Sequence, residues 1–229
     1  MGLGLGIAIC LIIFIVVGFL VFQARFAARR WRQVIAAGDL DALGELLDMT
    51  FEAWRNSRPP RGLAPADWRA LHTAALVAAD RDRARVSLLA EPDVRVTGGR
   101  RVEEGTAQDV ARRAAVRMVE RLMYEVPHVS FAEVQVDVHT EYRGLDGSLT
   151  DRCLLTTRVT RDGAAYADWE TRDAIAMLAE WETREAAGGR AIDPEDDALL
   201  PAPAPEALDA IDAAERALQE ERLGREGRA

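Results

Sequence analysis

Glu133, Asp137, His139 and Glu141 occupy alternate positions in AEVQVDVHTEY, set against Ala132, Val134, Val136 and Val138. In an extended strand alternate side chains point to the same side, so these carboxylates and the imidazole share one face. Carboxylates beside a histidine are the groups from which general acid–base catalysis is built, once a covering element shifts their pKa values. Arg152 and Arg158 of the following stretch RCLLTTRV are placed to neutralise that face instead. Glu133, Asp137, His139, Arg152 and Arg158 therefore form the candidate polar face. It reads either as a charge-balanced strand surface or as one wall of a pocket. Asp137 and His139 together offer two metal ligands, but nothing supplies a convincing third, so neither metal nor cofactor is assigned.

Composition removes several chemistries. All 29 basic residues are arginine, which excludes catalysis through a lysine amine. The two cysteines, Cys10 and Cys153, exclude a disulfide framework and a four-cysteine zinc site. No HExxH, GxSxG, P-loop or GxGxxG motif occurs. The net charge of −9 argues against a generally basic nucleic-acid binder. A local patch would need Arg112, Arg113, Arg117 and Arg121 to join Arg83, Arg85, Arg100 or Arg101.

The elements that position the candidate face are a β-hairpin and the helices that cover its other side. Gly144-Leu-Asp-Gly147 is turn chemistry between residues 132–142 and the return strand. In that return strand Cys153, Leu155, Thr157 and Val159 alternate with Arg152, Leu154, Thr156 and Arg158. The buried face is then Val134, Val136 and Val138 against Leu155 and Val159.

Further upstream, Leu40, Leu43, Leu46 and Leu47 predict an amphipathic helix capped by Asp39 and running to about Trp54. Pro59-Pro60 and Gly62 mark a loop, and Pro65 opens a second helix whose stripe Trp68, Leu71, Ala75 and Leu76 runs to about Ala79. Residues 85–90 and 93–97 read as two short strands around Glu91-Pro92, closed by Gly98-Gly99. Thr106 and Asp109 have capping-box spacing for a long helix over 106–125, with Val110, Ala111, Ala114, Ala115, Met118, Val119 and Leu122 inside. After Gly163, Thr171 caps a last helix with Ala174, Met177, Leu178 and Trp181 on one stripe.

Residues 3–22 are LGLGIAICLIIFIVVGFLVF, twenty residues without a charge. At about 1.5 Å per residue such a helix spans about 30 Å, the thickness of a bilayer core. Arg25, Arg29, Arg30 and Arg32 follow it, and the positive-inside rule then places the C-terminal side in the cytoplasm. The chain divides into an anchor (1–24), a soluble α+β domain (25–187) with helices packed on a small, mostly antiparallel sheet, and an acidic Pro/Ala-rich tail (188–229). The stretch from 188 to 205 has few large apolar groups and four prolines, and is expected to stay flexible. Beyond it, Leu208, Ile211 and Leu218 lie on one narrow helical stripe suited to docking on a partner.

The segment VIAAGDLDALGELL (34–47) resembles the opening helices of nuclear-transport-factor-2-like proteins, including the SnoaL-like branch and the branch resembling mitochondrial import subunit 44. The Asp146-Gly147 hairpin turn is also of a kind seen there. The resemblance implies a domain with a pocket between sheet and helices, here behind one membrane helix. It assigns no catalytic residue, and the long helix over 106–125 departs from that fold. Two functions follow. One is a single-pass, membrane-anchored, non-catalytic protein whose cytoplasmic domain binds a protein partner or scaffolds a membrane complex. The alternative is a membrane-anchored enzyme or small-ligand-binding domain. A polar face open to solvent favours the first, and one that is roofed and concave favours the second.

Overall fold

The computed structural model describes residues 40–97, 99–143, 149–169, 171, 173–187 and 192–204. Helices α1 (Leu40–Asn56) and α2 (Pro65–His72) come first, then strands β1 (Ala75–Ala79), β2 (Arg83–Leu89), β3 (Asp93–Thr97) and β4 (Arg100–Gly105). Helix α3 (Ala107–Tyr124) precedes the long strands β5 (Glu133–Arg143) and β6 (Leu149–Thr160). Short helices α4 (Arg161–Ala165) and α5 (Ala174–Glu180) and strand β7 (Glu182–Glu185) follow. Five strands form one sheet in the order β1-β2-β5-β6-β7, and β3 and β4 form a separate ribbon. In the large sheet every neighbouring pair is antiparallel except β2 and β5. Parallel strands need a long crossover, which the ribbon and α3 supply. The expected α+β architecture, with helices on a mostly antiparallel sheet, is the one adopted.

Helix α3 is the central packing element. Thr106 Oγ1 accepts from the Asp109 amide (3.1 Å) and Asp109 Oδ2 accepts from the Thr106 amide (3.1 Å), the reciprocal cap the spacing predicts. All seven predicted inner residues are buried, and they join Val134, Val136, Val138, Leu155 and Val159 in one core. Its arginines are tied down: Arg112 to Glu185 (2.6 Å), Arg113 to Asp67 (2.8 Å), Arg117 to Glu120 (3.3 Å). Arg121 lies over the Trp54 and Trp68 rings. Helix α1 buries Leu43, Leu46, Leu47 and Phe51 but leaves Leu40 exposed.

Four local expectations are corrected. The second helix ends at His72, and Ala75 and Leu76 belong to β1, where they pair with Ser87 and Val86. A short apolar run suits either element, and β2 offers it an antiparallel partner. The two strands around Glu91-Pro92 form, but Gly98-Gly99 does not end the strand region: β3 turns back through Gly99, whose φ of +77° glycine adopts without strain, onto the unexpected strand β4. The last helix is capped by Asp173, which accepts from the Ile175 and Ala176 amides, whereas Thr171 bonds to Asp168. Trp181 is buried but has left the helix, and the chain continues as β7.

Among the described residues no helix is long and apolar enough to cross a membrane. The expected span at 3–22, its flanking arginines 25, 29, 30 and 32, the hairpin turn at 144–147 and the stripe Leu208, Ile211 and Leu218 lie outside the described residues.

Candidate functional site

The face of the sheet turned away from α3 is polar, and its middle is buried. Asp137 and Arg85 are each 1% exposed and Gln135 is 2% exposed. Strand register brings them together: β2 and β5 run parallel with Arg85 opposite Gln135 and Ser87 opposite Asp137, while Asp137 faces Thr156 on β6. The Asp137 carboxylate accepts from Arg85 Nε (2.6 Å), Gln135 Nε2 (2.8 Å) and Thr156 Oγ1 (2.6 Å). Burial works against the Arg85 cation, but its bonds to Asp137 and Glu195 outweigh this and hold its pKa above the ordinary arginine value.

A strap formed by residues 192–204 closes this face. Ile192 bridges to Cys153 on β6, and two overlapping turns follow, with the Asp196 amide donating to the Asp193 carbonyl and the Ala198 amide to the Glu195 carbonyl. Arg85 donates to the carbonyls of Leu200 (2.9 Å) and Pro194 (3.1 Å) and pairs with Glu195 (2.7 Å). Arg83 donates to the Leu199 carbonyl (3.2 Å), and Arg184 donates to the carbonyls of Asp193 (3.4 Å) and Asp196. Gln135 Oε1 accepts from the Leu199 amide (2.7 Å), and the Leu199 side chain is buried. The expectation of a flexible stretch from 188 to 205 is thus corrected over 192–204. That segment has few apolar groups, but the buried Arg85 and the more exposed Arg83 and Arg184 collect its carbonyls, and hydrogen bonds from charged donors are about twice as strong as neutral ones.

The candidate residues from the sequence fall in different places. Asp137 is the buried centre. Glu133 is on the same face toward its edge, where Arg158 bridges it (3.1 Å) to Glu182. His139 sits outside the strap, with Nδ1 3.0 Å from Asp151. Arg152 is not on this face. Between Val138 and His139 the ladder shifts by one residue, so that Val138 faces Leu155 but His139 faces Cys153. The extra residue, Leu154, reverses the alternation of β6 beyond it. Arg152 then lies opposite Thr140, on the side of the valines, and Asp151 takes its place near Glu141 and His139. Cys153, expected beside Leu155 on the apolar side, turns to the polar face, where its backbone pairs with Ile192. Burial, reinforced by the nearby Asp137 charge, pushes its thiol up to about 12.

Sequence reasoning missed Arg85, Thr156 and the strap residues Pro194, Glu195 and Leu199. Arg83 and Arg85 do alternate with the apolar residues of β2, and that was the available signal. Nothing local in the acidic tail announces that it returns to the sheet.

Beside the strap lies a cleft of about 580 Å³, lined by Gln135, Thr156, Arg158, Glu182, Arg184 and Asp197 among others. Asp197, at the turn over the cleft, has a φ of +60°, a conformation aspartate tolerates better than most residues. Among the described residues no group of three or more His, Cys, Asp or Glu side chains converges as a metal would require. The Asp137 carboxylate is roofed and already accepts three hydrogen bonds, a poor arrangement for a general base, which must reach a substrate proton. What the arrangement does well is hold carbonyl groups. No family model matches the chain, nor does any curated protein or solved structure.

Proposed function

We propose that this chain is a membrane-anchored, non-catalytic protein whose cytoplasmic α+β domain binds a protein partner or scaffolds a membrane complex. The polar face is roofed, but by this chain's own residues 192–204 rather than by helices around a pocket, and that commitment of the face is the observation that supports this reading. Asp137, the buried member of the candidate acid–base face, is engaged by Arg85, Gln135 and Thr156, and Arg85 and Gln135 in turn hold residues 192–204. The strap ends at Ala204, just before the stretch of sequence that carries Leu208, Ile211 and Leu218. The anchor is residues 3–22, with Arg25, Arg29, Arg30 and Arg32 on the cytoplasmic side.

Crosslinking and pull-down from membranes tests the reading, comparing the intact protein with a chain ending at Ala204. The shortened chain keeps the strap, so its melting temperature should match the intact protein while recovery of the partner falls. An unchanged partner set removes this reading of the tail. Cysteine labelling from each side of the membrane tests the topology, and labelling of the domain from outside intact cells rejects it.

The roofed face and the 580 Å³ cleft favour a second reading, a small-ligand-binding domain of the nuclear-transport-factor-2-like kind. The cleft offers Arg158 and Arg184 to an anionic ligand, but both already contact this chain's own carboxylates or carbonyls. Saturating thermal-shift screening against small carboxylates and phosphates would detect it.

A further inference from the structure

We infer that the polar face is a peptide-recognition groove and that the strap is its built-in occupant, replaceable by an acidic, proline-flanked segment of a partner protein. The inference rests on the protein-binding reading above and names the chemistry of what binds. The pattern of contacts carries it. Three arginines from strands β2 and β7 donate to five strap carbonyls: Arg83 to Leu199, Arg85 to Pro194 and Leu200, Arg184 to Asp193 and Asp196. Side chains of the sheet accept from one strap amide, that of Leu199, through Gln135 Oε1, and Ile192 makes a backbone bridge to Cys153. The sheet reads one strap carboxylate, that of Glu195, through Arg85.

A groove whose side chains hold five carbonyls and one amide is matched to proline, which has a carbonyl but no N–H to satisfy. The strap supplies this chemistry as IDPEDDALLPAPA, with Pro194 and Pro201 bracketing the turn and Leu199 the buried apolar anchor. Recognition through backbone carbonyls constrains sequence loosely. The demands are one carboxylate at the place of Glu195, one leucine-sized side chain at the place of Leu199, and proline on either side. Displacing the strap takes from Arg85 its acceptors on Pro194, Glu195 and Leu200 and from Gln135 Oε1 the Leu199 amide, so a replacement must offer the same groups.

The test uses the full chain in detergent with Cys10→Ser, so that Cys153 reports the strap. Glu195→Ala with Leu199→Ala loosens the strap without touching the groove. A fluorescent peptide of residues 192–204 is titrated in and followed by anisotropy. The loosened chain should bind it at least tenfold more tightly than the parent and should not bind a scrambled peptide. Thiol labelling of Cys153, which is buried and pairs with Ile192 of the strap, should accelerate at least tenfold in the loosened chain and slow again on saturation with peptide. Adding Arg184→Ala should weaken peptide binding at least fivefold while thermal unfolding stays cooperative. A released strap with no peptide capture overturns the inference, and so does unchanged Cys153 labelling, which would show that the groove does not open. Neither result depends on the pull-down: peptide capture with an unchanged partner set would remove the tail reading and leave the groove.

Discussion

The two faces of the five-stranded sheet are buried to the same depth by opposite means. Val134, Val136 and Val138 on one face and Gln135 and Asp137 on the other are all 2% exposed or less. The first face is covered by α3 and stabilised by removing apolar surface from water, a force without direction. The second is covered by a strap and depends on each donor meeting an acceptor. The apolar face tolerates changes of shape, whereas the polar face tolerates no unpaired group. The polar face is also the one that can in principle exchange its cover, because its contacts are few and discrete.

Substitutions can break this comparison in order of size. Val136→Asp puts an unpaired charge under α3 and is expected to cost on the order of 4 kcal/mol, seen as a large fall in denaturation midpoint or loss of the folded protein. If the variant melts like the parent, the assignment of the apolar face is wrong. Asp137→Asn leaves the buried Arg85 cation with only the half-exposed Glu195 carboxylate as counter-charge, and about 3 kcal/mol should be lost. Urea denaturation measures it, and a loss well below 1 kcal/mol would show the pair to be dispensable. Glu195→Gln acts on a half-exposed partner, so its effect on global stability should stay under about 1 kcal/mol. Its signature is faster Cys153 labelling rather than a lower melting temperature.

A pH titration sharpens the comparison at the rim of the sheet. The Arg112 hydrogen bond, against the opposing pull of burial, holds the Glu185 carboxyl below its ordinary value of 4.5. A carboxylate depressed in the folded state contributes stability above its unfolded pKa, and that stability is lost as pH falls below about 4.5 toward the folded value. Melting temperature should therefore drop through that acid range, and Glu185→Gln should flatten the drop. The smallest effect belongs to the β3–β4 ribbon. Val96 is exposed there, and Val96→Thr should change stability by less than about 0.5 kcal/mol. A larger change would mean that something covers the ribbon.

Legibility in the sequence followed the range of the interactions. The hairpin strands, the Val134–Val136–Val138 face, the capped helix α3 and its seven inner residues were readable, because period-two and period-3.6 patterns and a capping box are written in contiguous residues. Strand β1 and ribbon strand β4 were not, because a five- or six-residue run acquires its conformation from the strand it pairs with. The Leu154 bulge was invisible for the same reason: only the register of β6 against β5 reveals that alternation reverses there and moves Arg152 and Cys153 to opposite faces from those their spacing suggests. Asp137 was legible as a polar residue on an alternating strand, but whether it met water, a substrate or another part of the chain was not. Only the tertiary structure decided that, since Arg85 reaches Asp137 from 52 positions away and the Leu200 carbonyl from 115. By itself the sequence determined the lysine-free chemistry, the α+β class and the two-sided hairpin. The tertiary structure decided that an acidic, proline-bearing segment covers the polar side, because the buried Arg85 can be satisfied only by acceptors that the fold brings to it.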